Sequence, residues 1–202
     1  MTRTMQLGCV SDYSHFINKL FTKSEDRKVI SFVPLSHKIY NNIVVNNLID
    51  MISELNKKAL FVDFTDYKNA GLQEILYETR SISDSIRKSE SDKFDILSAG
   101  INAFNSSSIL SHKNYKNLLN SLKQKYDIVI LWTDSVHDDK NCIDYALTGD
   151  MSVIFIDKYF STKKDLLYVK KYLTNMCGAL VIKSFKESTI TKLKRFSKKM
   201  KK

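Results

Sequence analysis

The sequence predicts an α/β fold, in which a mainly parallel β-sheet carries helices on both faces. The chain has 202 residues, short apolar runs rich in β-branched and aromatic residues recur along it, and segments with helical spacing separate these runs. Apolar runs that do not alternate with polar residues are typical of strands buried on both faces. Connections of a dozen or more residues allow parallel pairing, so the pattern indicates strand–helix–strand units.

The predicted strands share this apolar composition, and they are Val29–Val33, Ala59–Phe64, Phe94–Leu97, Ile128–Trp132, Val153–Ile156 and Ala179–Ile182. Apolar residues spaced by three and four predict the helices, namely Ile39–Leu55, Ile109–Lys125, Cys142–Leu147 and Asp165–Met176. We expect three parts: a leader helix (Asp12–Phe21) and connection over 1–27, the α/β domain over 28–184, and a basic helix or tail over 185–202.

The composition is that of a globular protein, with 43% apolar and 27% charged residues. No apolar window is long enough for a membrane span, and the N-terminus lacks the apolar core of a secretory signal, so we expect a cytoplasmic protein. The three cysteines form no disulfide or zinc pattern, and the four histidines stand at unrelated spacings. His137-Asp138-Asp139-Lys140 is interpreted as a polar loop. We expect no metal site.

The positive charge is concentrated at the C-terminus. Residues 183–202 hold eight Lys and one Arg against one Glu, so most of the net charge of +10 lies there. Such a segment predicts contact with an anionic membrane surface, nucleic acid (less favoured) or an acidic partner. A solvated helix face is the alternative interpretation. The residues expected to make an anionic contact are Lys192, Lys194, Arg195, Lys198, Lys199, Lys201 and Lys202.

The turn after the first predicted strand is where a parallel sheet usually binds phosphates. It contains no glycine, although a phosphate-binding loop needs glycines to direct several backbone N–H groups at the anion. The turn alone is therefore not a nucleotide motif. Its positions of interest are Pro34, Ser36, His37, Lys38, Tyr40, Asn41 and Asn42.

Residues 28–184 nevertheless resemble the bacterial tyrosine kinases, a P-loop family related to the ParA and MinD ATPases. Asn47-Leu48 matches a conspicuous Asn-Leu pair in that family's first helix. The resemblance matches Pro34 and Tyr40 to the two glycines of G-x-x-x-x-G-K-[ST], with one more residue between them than the motif has. It matches Asn41 to the lysine and Asn42 to the magnesium-binding hydroxyl. The resemblance thus places every phosphate-loop position on a changed residue.

Further family landmarks follow in order along the chain. Asp63 in ALFVD stands at the first carboxylate of the acidic strand, and Thr65 replaces the usual second one. The segments GLQEIL, ISDSI, FDILSAG and NSSSIL resemble successive family segments. In YDIVILWT, Trp132 occupies the position of the Walker B Asp, and Asp134 follows two residues later. Trp132 is interpreted as a core aromatic that fills space otherwise taken by nucleotide and metal.

The resemblance implies a catalytically inactive protein with no catalytic residues and no cofactor, because the Lys, the hydroxyl and the Walker B carboxylate are all replaced. By analogy with the family, it would bind a membrane-embedded co-polymerase in surface polysaccharide (capsule or exopolysaccharide) synthesis or export, at the inner face of the membrane. Its oligomeric state stays open, and so does weak binding of nucleotide or another anion.

Two alternatives remain from the sequence. One is an active ATPase or tyrosine kinase that uses Lys38, Asp63 and Asp134 as substitutes. The other is a ParA/MinD-like positioning protein whose basic tail binds lipid or DNA.

Overall fold

A computed structural model describes residues 5–6, 20, 29–36, 52, 55, 57–89, 93–101 and 109–182. The described strands are β1 (Met5–Gln6), β2 (Val29–Pro34), β3 (Ala59–Asp63), β4 (Ile86–Lys88), β5 (Asp95–Ser98), β6 (Ile128–Trp132), β7 (Met151–Asp157) and β8 (Met176–Ile182). The described helices are α1 (Leu72–Leu76), α2 (Ile82–Ser85), α3 (Tyr115–Lys125), α4 (Cys142–Leu147) and α5 (Lys163–Tyr172).

All eight strands form one sheet in the order β1-β8-β7-β2-β6-β3-β5-β4. Every pairing is parallel except the one between β4 and β5. The predicted mainly parallel α/β fold is therefore confirmed. From β2 the chain crosses β6 to reach β3, and from β6 it crosses β2 to reach β7, so the connections diverge at β2 and β6. Ligand sites of such sheets lie at this divergence, beyond the carboxyl ends of the strands.

The central strands β2, β3 and β6 are buried along their whole length, as their unbroken apolar sequences predict. Successive side chains of each strand point to opposite faces of the sheet and so belong to two apolar layers. One face of the sheet holds Phe32, Phe61, Trp132 and Phe155 in a single apolar cluster. On the other face α3 covers β3 and β6, while α4 and α5 cover β2 and β7. Burial on both faces supplies most of the stabilising free energy of such a sheet.

Two of the resembling segments meet across the sheet. Gly71, just before α1, forms a parallel bridge with Ser98 at the end of β5. A Cβ atom at Gly71 would lie 1.9 Å from the Ser98 carbonyl oxygen, so this approach requires glycine. Gly100 has a φ of +126°, a backbone conformation that side chains rarely adopt. The fold therefore requires glycine at both positions, at Gly71 for the close approach to Ser98 and at Gly100 for its backbone conformation.

Two of the predicted helices differ from the structure. The predicted helix Ile109–Lys125 is interrupted, because residues 111–114 form a turn in which the Asn114 N–H donates to His112 Nδ1 at 3.3 Å. The predicted helix Asp165–Met176 ends at Tyr172, and Met176 begins β8. The Asn175 amide donates to the Ala146 and Gly149 carbonyls, which holds the chain in a turn at that point.

Two edge strands have no counterpart in the sequence analysis. β1 pairs with β8 through Met5 and Gln6, and β4 pairs with β5 through three residues. Segments this short carry too few residues for a period to be recognised. Of the predicted leader helix Asp12–Phe21, the structure describes Leu20, which is helical and buried in the apolar layer that contains Trp132. The rest of that helix lies outside the described residues, and the domain boundaries stay predictions.

Candidate functional site

The candidate site lies where β2, β3 and β6 end side by side. In the sheet register Trp132 is level with Phe32 of β2 and with Asp63 of β3. Because the three strands are parallel, the residues that follow them leave the sheet at the same edge. We call Asp63, Tyr67, Trp132 and Asp134 the strand-end cluster.

The turn that follows β2 begins against the sheet edge. Leu35 donates its N–H to the Phe155 carbonyl at 2.9 Å, and the Pro34 carbonyl accepts from the Val136 N–H at 2.9 Å. Leu35 and Ser36 are both buried. The other phosphate-loop positions, His37, Lys38, Tyr40, Asn41 and Asn42, lie outside the described residues, so their role stays a prediction.

Trp132 is a core residue with an exposed fraction of 0%. Its ring centroid lies 6.4 Å from that of Phe32 in an edge-on arrangement, 6.3 Å from that of Phe61 and 5.6 Å from that of Phe155. Aromatic rings at such separations attract one another in addition to burying apolar surface. The indole therefore occupies a packed aromatic layer, at the position that the sequence resemblance aligns with a carboxylate.

Asp63 is bound by the chain that follows it. Its Oδ1 accepts the Thr65 N–H at 2.9 Å and the Thr65 hydroxyl at 2.6 Å. This local turn is a common use of Asp at the end of a strand. Thr65, which the sequence resemblance aligns with a second Asp, thus acts as a hydrogen-bond donor to Asp63.

Asp134 lies on the other side of the cluster, and the Tyr67 hydroxyl donates to its Oδ2 at 2.6 Å. Burial raises the pKa of the Asp134 carboxyl above 3.8, and the nearby carboxylates of Asp139, Asp63 and Asp138 raise it further, whereas the Tyr67 hydrogen bond lowers it. Burial and Asp134 also raise the pKa of the Tyr67 hydroxyl. The structure thus brings Asp63 and Asp134 into electrostatic contact. Sequence reasoning missed Tyr67, whose contact spans 67 residues and follows no local pattern.

The loop after β6 also reaches α5, through a group that we call the α5 anchor: His137, Lys140, Thr162 and Asp165. Lys140 donates to Asp165 Oδ1, the Thr162 hydroxyl donates to Oδ2 at 2.7 Å, and His137 Nδ1 lies 3.1 Å from Oδ2. Burial opposes ionisation of Asp165, but these partners, Lys140 foremost, lower its pKa to about 2. The polar loop predicted at 137–140 therefore also connects the end of β6 to α5 through hydrogen bonds and an ion pair with Asp165.

The residues at these strand ends do not fit the magnesium site of a P-loop ATPase. Mg²⁺ requires oxygen ligands in octahedral geometry. The β6 position presents a buried indole, and Asp134 accepts a hydrogen bond from Tyr67 in buried surroundings that raise its pKa. The described part of the chain contains no group of three His, Cys, Asp or Glu residues suited to a metal ion.

The predicted anionic-contact residues of the tail, Lys192 to Lys202, lie outside the described residues. None of the described helices is long and apolar enough to cross a bilayer.

The sheet order and the divergence at β2 and β6 define the class: the fold is that of the P-loop ATPase-like α/β proteins. No family model matches the chain. Two relatives that match part of the chain are both named as tyrosine-protein kinases. The putative tyrosine-protein kinase CapB of Staphylococcus aureus is 24% identical over 113 residues, which are 56% of this chain and 50% of CapB. The tyrosine-protein kinase ptk of Acinetobacter johnsonii is 27% identical over 110 residues, which are 49% of this chain and 15% of ptk.

The fold is also similar to solved structures that include a tyrosine kinase domain. The chimerical protein CapA2B2 superposes with a TM-score of 0.74 at 18% identity, covering 87% of this chain and 85% of that one. The kinase domain of Escherichia coli tyrosine kinase ETK gives 0.72 at 17%, covering 94% and 85%. The septum site-determining protein MinD of Pyrococcus horikoshii gives 0.54 at 19%, covering 76% and 69%. The predicted resemblance to bacterial tyrosine kinases, with MinD-type ATPases more distant, is confirmed. The matches span half or less of the two curated relatives.

Proposed function

We propose that this chain is a catalytically inactive relative of the bacterial tyrosine kinases that acts by binding, as a regulatory component of surface polysaccharide synthesis or export. The observation that carries the proposal is Trp132, buried among Phe32, Phe61 and Phe155 where a metal-binding carboxylate would be needed. Phosphoryl transfer depends on a phosphate loop, its Lys and a metal ion to neutralise the phosphate charge. Here the carboxylate position is part of the apolar core.

The phosphate-loop sequence supports the same proposal. In the register of the resemblance Pro34, Tyr40, Asn41 and Asn42 stand at the glycine, lysine and hydroxyl positions, so all of these motif residues are replaced. Each lost charged hydrogen bond removes about 1.5–3 kcal/mol of ligand or transition-state stabilisation. The combined loss is too large for efficient ATP turnover.

The partner that we propose is a membrane-embedded polysaccharide co-polymerase, with the chain at the inner face of the membrane. This part rests on the relatives named as tyrosine kinases and on the fold similarity to the CapA2B2 chimera. The higher TM-scores of kinase domains, 0.74 and 0.72 against 0.54 for MinD, favour this role over a MinD-like positioning role.

An enzymatic role is the second candidate, because one observation favours it. Asp63 ends β3, Asp134 follows the neighbouring strand β6, and the two carboxyl groups influence each other electrostatically. In an active enzyme they would supply the carboxylates of the nucleotide site, together with Lys38. This candidate requires Asp63 to be essential, whereas the binding role does not.

Two measurements separate the candidates. Calorimetry with ATP, ADP and Mg²⁺ should detect no binding at micromolar ligand, with Mg²⁺ alone as the control titration; clear micromolar binding contradicts the inactive role. Deleting the gene in its host should change the amount of surface polysaccharide. Both the parent chain and an Asp63→Ala/Asp134→Asn variant should then restore the parental amount, and failure of the variant, expressed and folded at the parental level, would indicate an enzyme.

A further inference from the structure

The outward face of α5 combines exposed apolar side chains with lysines. Eight large apolar residues are exposed in the described part of the chain, and five of them, Tyr159, Phe160, Leu166, Leu167 and Tyr172, lie within fourteen consecutive positions. Leu167 is 56% exposed, an unusual position for Leu on a helix that packs on a core. Isolated apolar residues on a surface need no explanation, but a concentration of them indicates a contact site.

Lysines surround these leucines on the helix. Residues 163, 164, 167, 170 and 171 share the face opposite Asp165 and Val169, because side chains three and four apart lie on one side of a helix. All four lysines at these positions are exposed. Leu167 therefore projects from the centre of a cationic face.

Both carboxylates of the segment 157–172 are removed from this surface. Asp157 is 1% exposed, and its Oδ1 accepts the backbone N–H groups of Tyr159 and Phe160. Asp165 is 3% exposed and is neutralised by Lys140 in the α5 anchor. Each exposed charge of the segment is thus a lysine, and the surface is complementary to a dense anionic partner.

The face is held in place rather than formed on contact. The Thr162 hydroxyl accepts the Asp165 N–H at 3.1 Å and caps the helix, and Val169 and Leu173 pack against β7 and α4. Lys140 joins the helix to the loop after β6. A preformed surface loses little conformational entropy when it binds.

We propose that the α5 face docks on an anionic lipid bilayer, with Lys163, Lys164, Lys170 and Lys171 at the lipid phosphates and Leu166 and Leu167 among the headgroups. Interfacial helices bind through this combination of basic residues and inserted Leu side chains. A bilayer offers an anionic surface with an aliphatic layer beneath it that takes up Leu side chains, whereas a nucleic acid offers its charge without such a layer. The proposal does not depend on the state of the nucleotide site, and it concerns a surface other than the basic tail.

The test is co-sedimentation of the full chain with phosphatidylglycerol vesicles, and with phosphatidylcholine vesicles as the neutral surface. A Lys163→Gln/Lys164→Gln/Lys170→Gln variant should lose about 100-fold of the partition coefficient, since each lysine near an anionic surface contributes about fivefold. The matched control Lys113→Gln/Lys116→Gln/Lys125→Gln removes three exposed lysines at and before α3 and keeps the tail, so it should lose less than about threefold.

Leu167→Ser tests the apolar half of the proposal without changing charge. We expect about a fivefold loss of binding, because the inserted side chain no longer leaves water. Equal losses in the two triple variants would overturn the proposal in favour of contact by net charge or by the tail. Unchanged binding of Leu167→Ser would also overturn it, because it would indicate a site for polyanions in general. Failure of the parent chain to sediment with phosphatidylglycerol vesicles would overturn it as well. Circular dichroism of each variant confirms that these surface substitutions leave the fold intact.

Discussion

The strand-end cluster and the α5 anchor each contain a carboxyl group that is largely removed from water, and they treat it in opposite ways. Burial raises the pKa of Asp134, and the carboxylates of Asp139, Asp63 and Asp138 raise it further. Asp165 lies beside Lys140, Thr162 and His137, and its pKa is lowered to about 2. One loop after β6 supplies residues to both. Burial raises the pKa of both carboxyl groups, so the opposite directions of the two shifts come from their hydrogen-bonding and charged partners.

The largest effect that we expect tests whether the strand-end cluster is stabilised by packing rather than by charge. Trp132→Ala should lower the free energy of unfolding by about 3–5 kcal/mol, because it leaves a cavity among Phe32, Phe61 and Phe155. Trp132→Phe, which keeps an aromatic ring, should cost no more than about 2 kcal/mol. Urea unfolding measures both. Equal losses would mean that ring packing is not what the indole contributes.

The next largest effect on stability concerns Asp165 in the α5 anchor. Asp165→Ala should lower the free energy of unfolding by about 2–3 kcal/mol, because Lys140 loses its ion pair and Thr162 loses a hydrogen-bond partner. Asp144→Ala, in the first turn of α4, removes an exposed helix carboxylate and serves as the control, within about 0.5 kcal/mol of the parent. Similar losses in both would show that the anchor adds nothing specific.

The pH dependence of stability should separate the two carboxyl groups by sign. The folded pKa of Asp165 is depressed to about 2 from 3.8, so its contribution of about 2 kcal/mol is present above pH 4 and is lost as the pH falls toward 2. The stability difference between the parent and Asp165→Asn should therefore shrink over that interval. Urea midpoints at a series of pH values measure it, and a difference that does not vary with pH contradicts the ion pair.

The stability contribution of Asp134 should depend on pH in the opposite direction. Its folded pKa is raised, so its contribution to stability is present below pH 4 and is lost as the pH rises through the folded value. Asp134→Asn, which keeps an oxygen acceptor for Tyr67, should consequently gain stability relative to the parent as the pH rises from 3 to 7. The same urea series records this trend. If the variant instead loses stability on going to neutral pH, the carboxylate is stabilised by a cation and the comparison fails.

The smallest effect concerns the hydrogen bond within the strand-end cluster. Tyr67→Phe removes the donor to Asp134, which should cost about 1 kcal/mol and raise the Asp134 pKa further. Carbon NMR titration of the Asp134 carboxyl measures the pKa. Tyr159→Phe, on an exposed ring outside the cluster, is the control and should leave that titration unchanged.

Much of the fold could be predicted from local patterns, and much of the cluster could not. The apolar runs located six strands and placed Asp63 and Trp132 near the ends of two of them, which the structure shows to be neighbours. The edge strands β1 and β4 are too short to show a period. The contacts from Tyr67 to Asp134 and from Lys140 to Asp165 join positions 67 and 25 residues apart. Only the folded sheet brings such residues together, so a single sequence gives no signal for them.

The loop between β6 and α4 is fixed at both ends: Asp134 accepts from Tyr67 near one end, and Lys140 bonds to Asp165 near the other. The length of this connection is therefore set by the span between its two attachments. Inserting even a few residues there would force the chain to release one of them, so we expect this segment to tolerate insertions poorly, although it lies on the rim of the protein, where connections usually accept them.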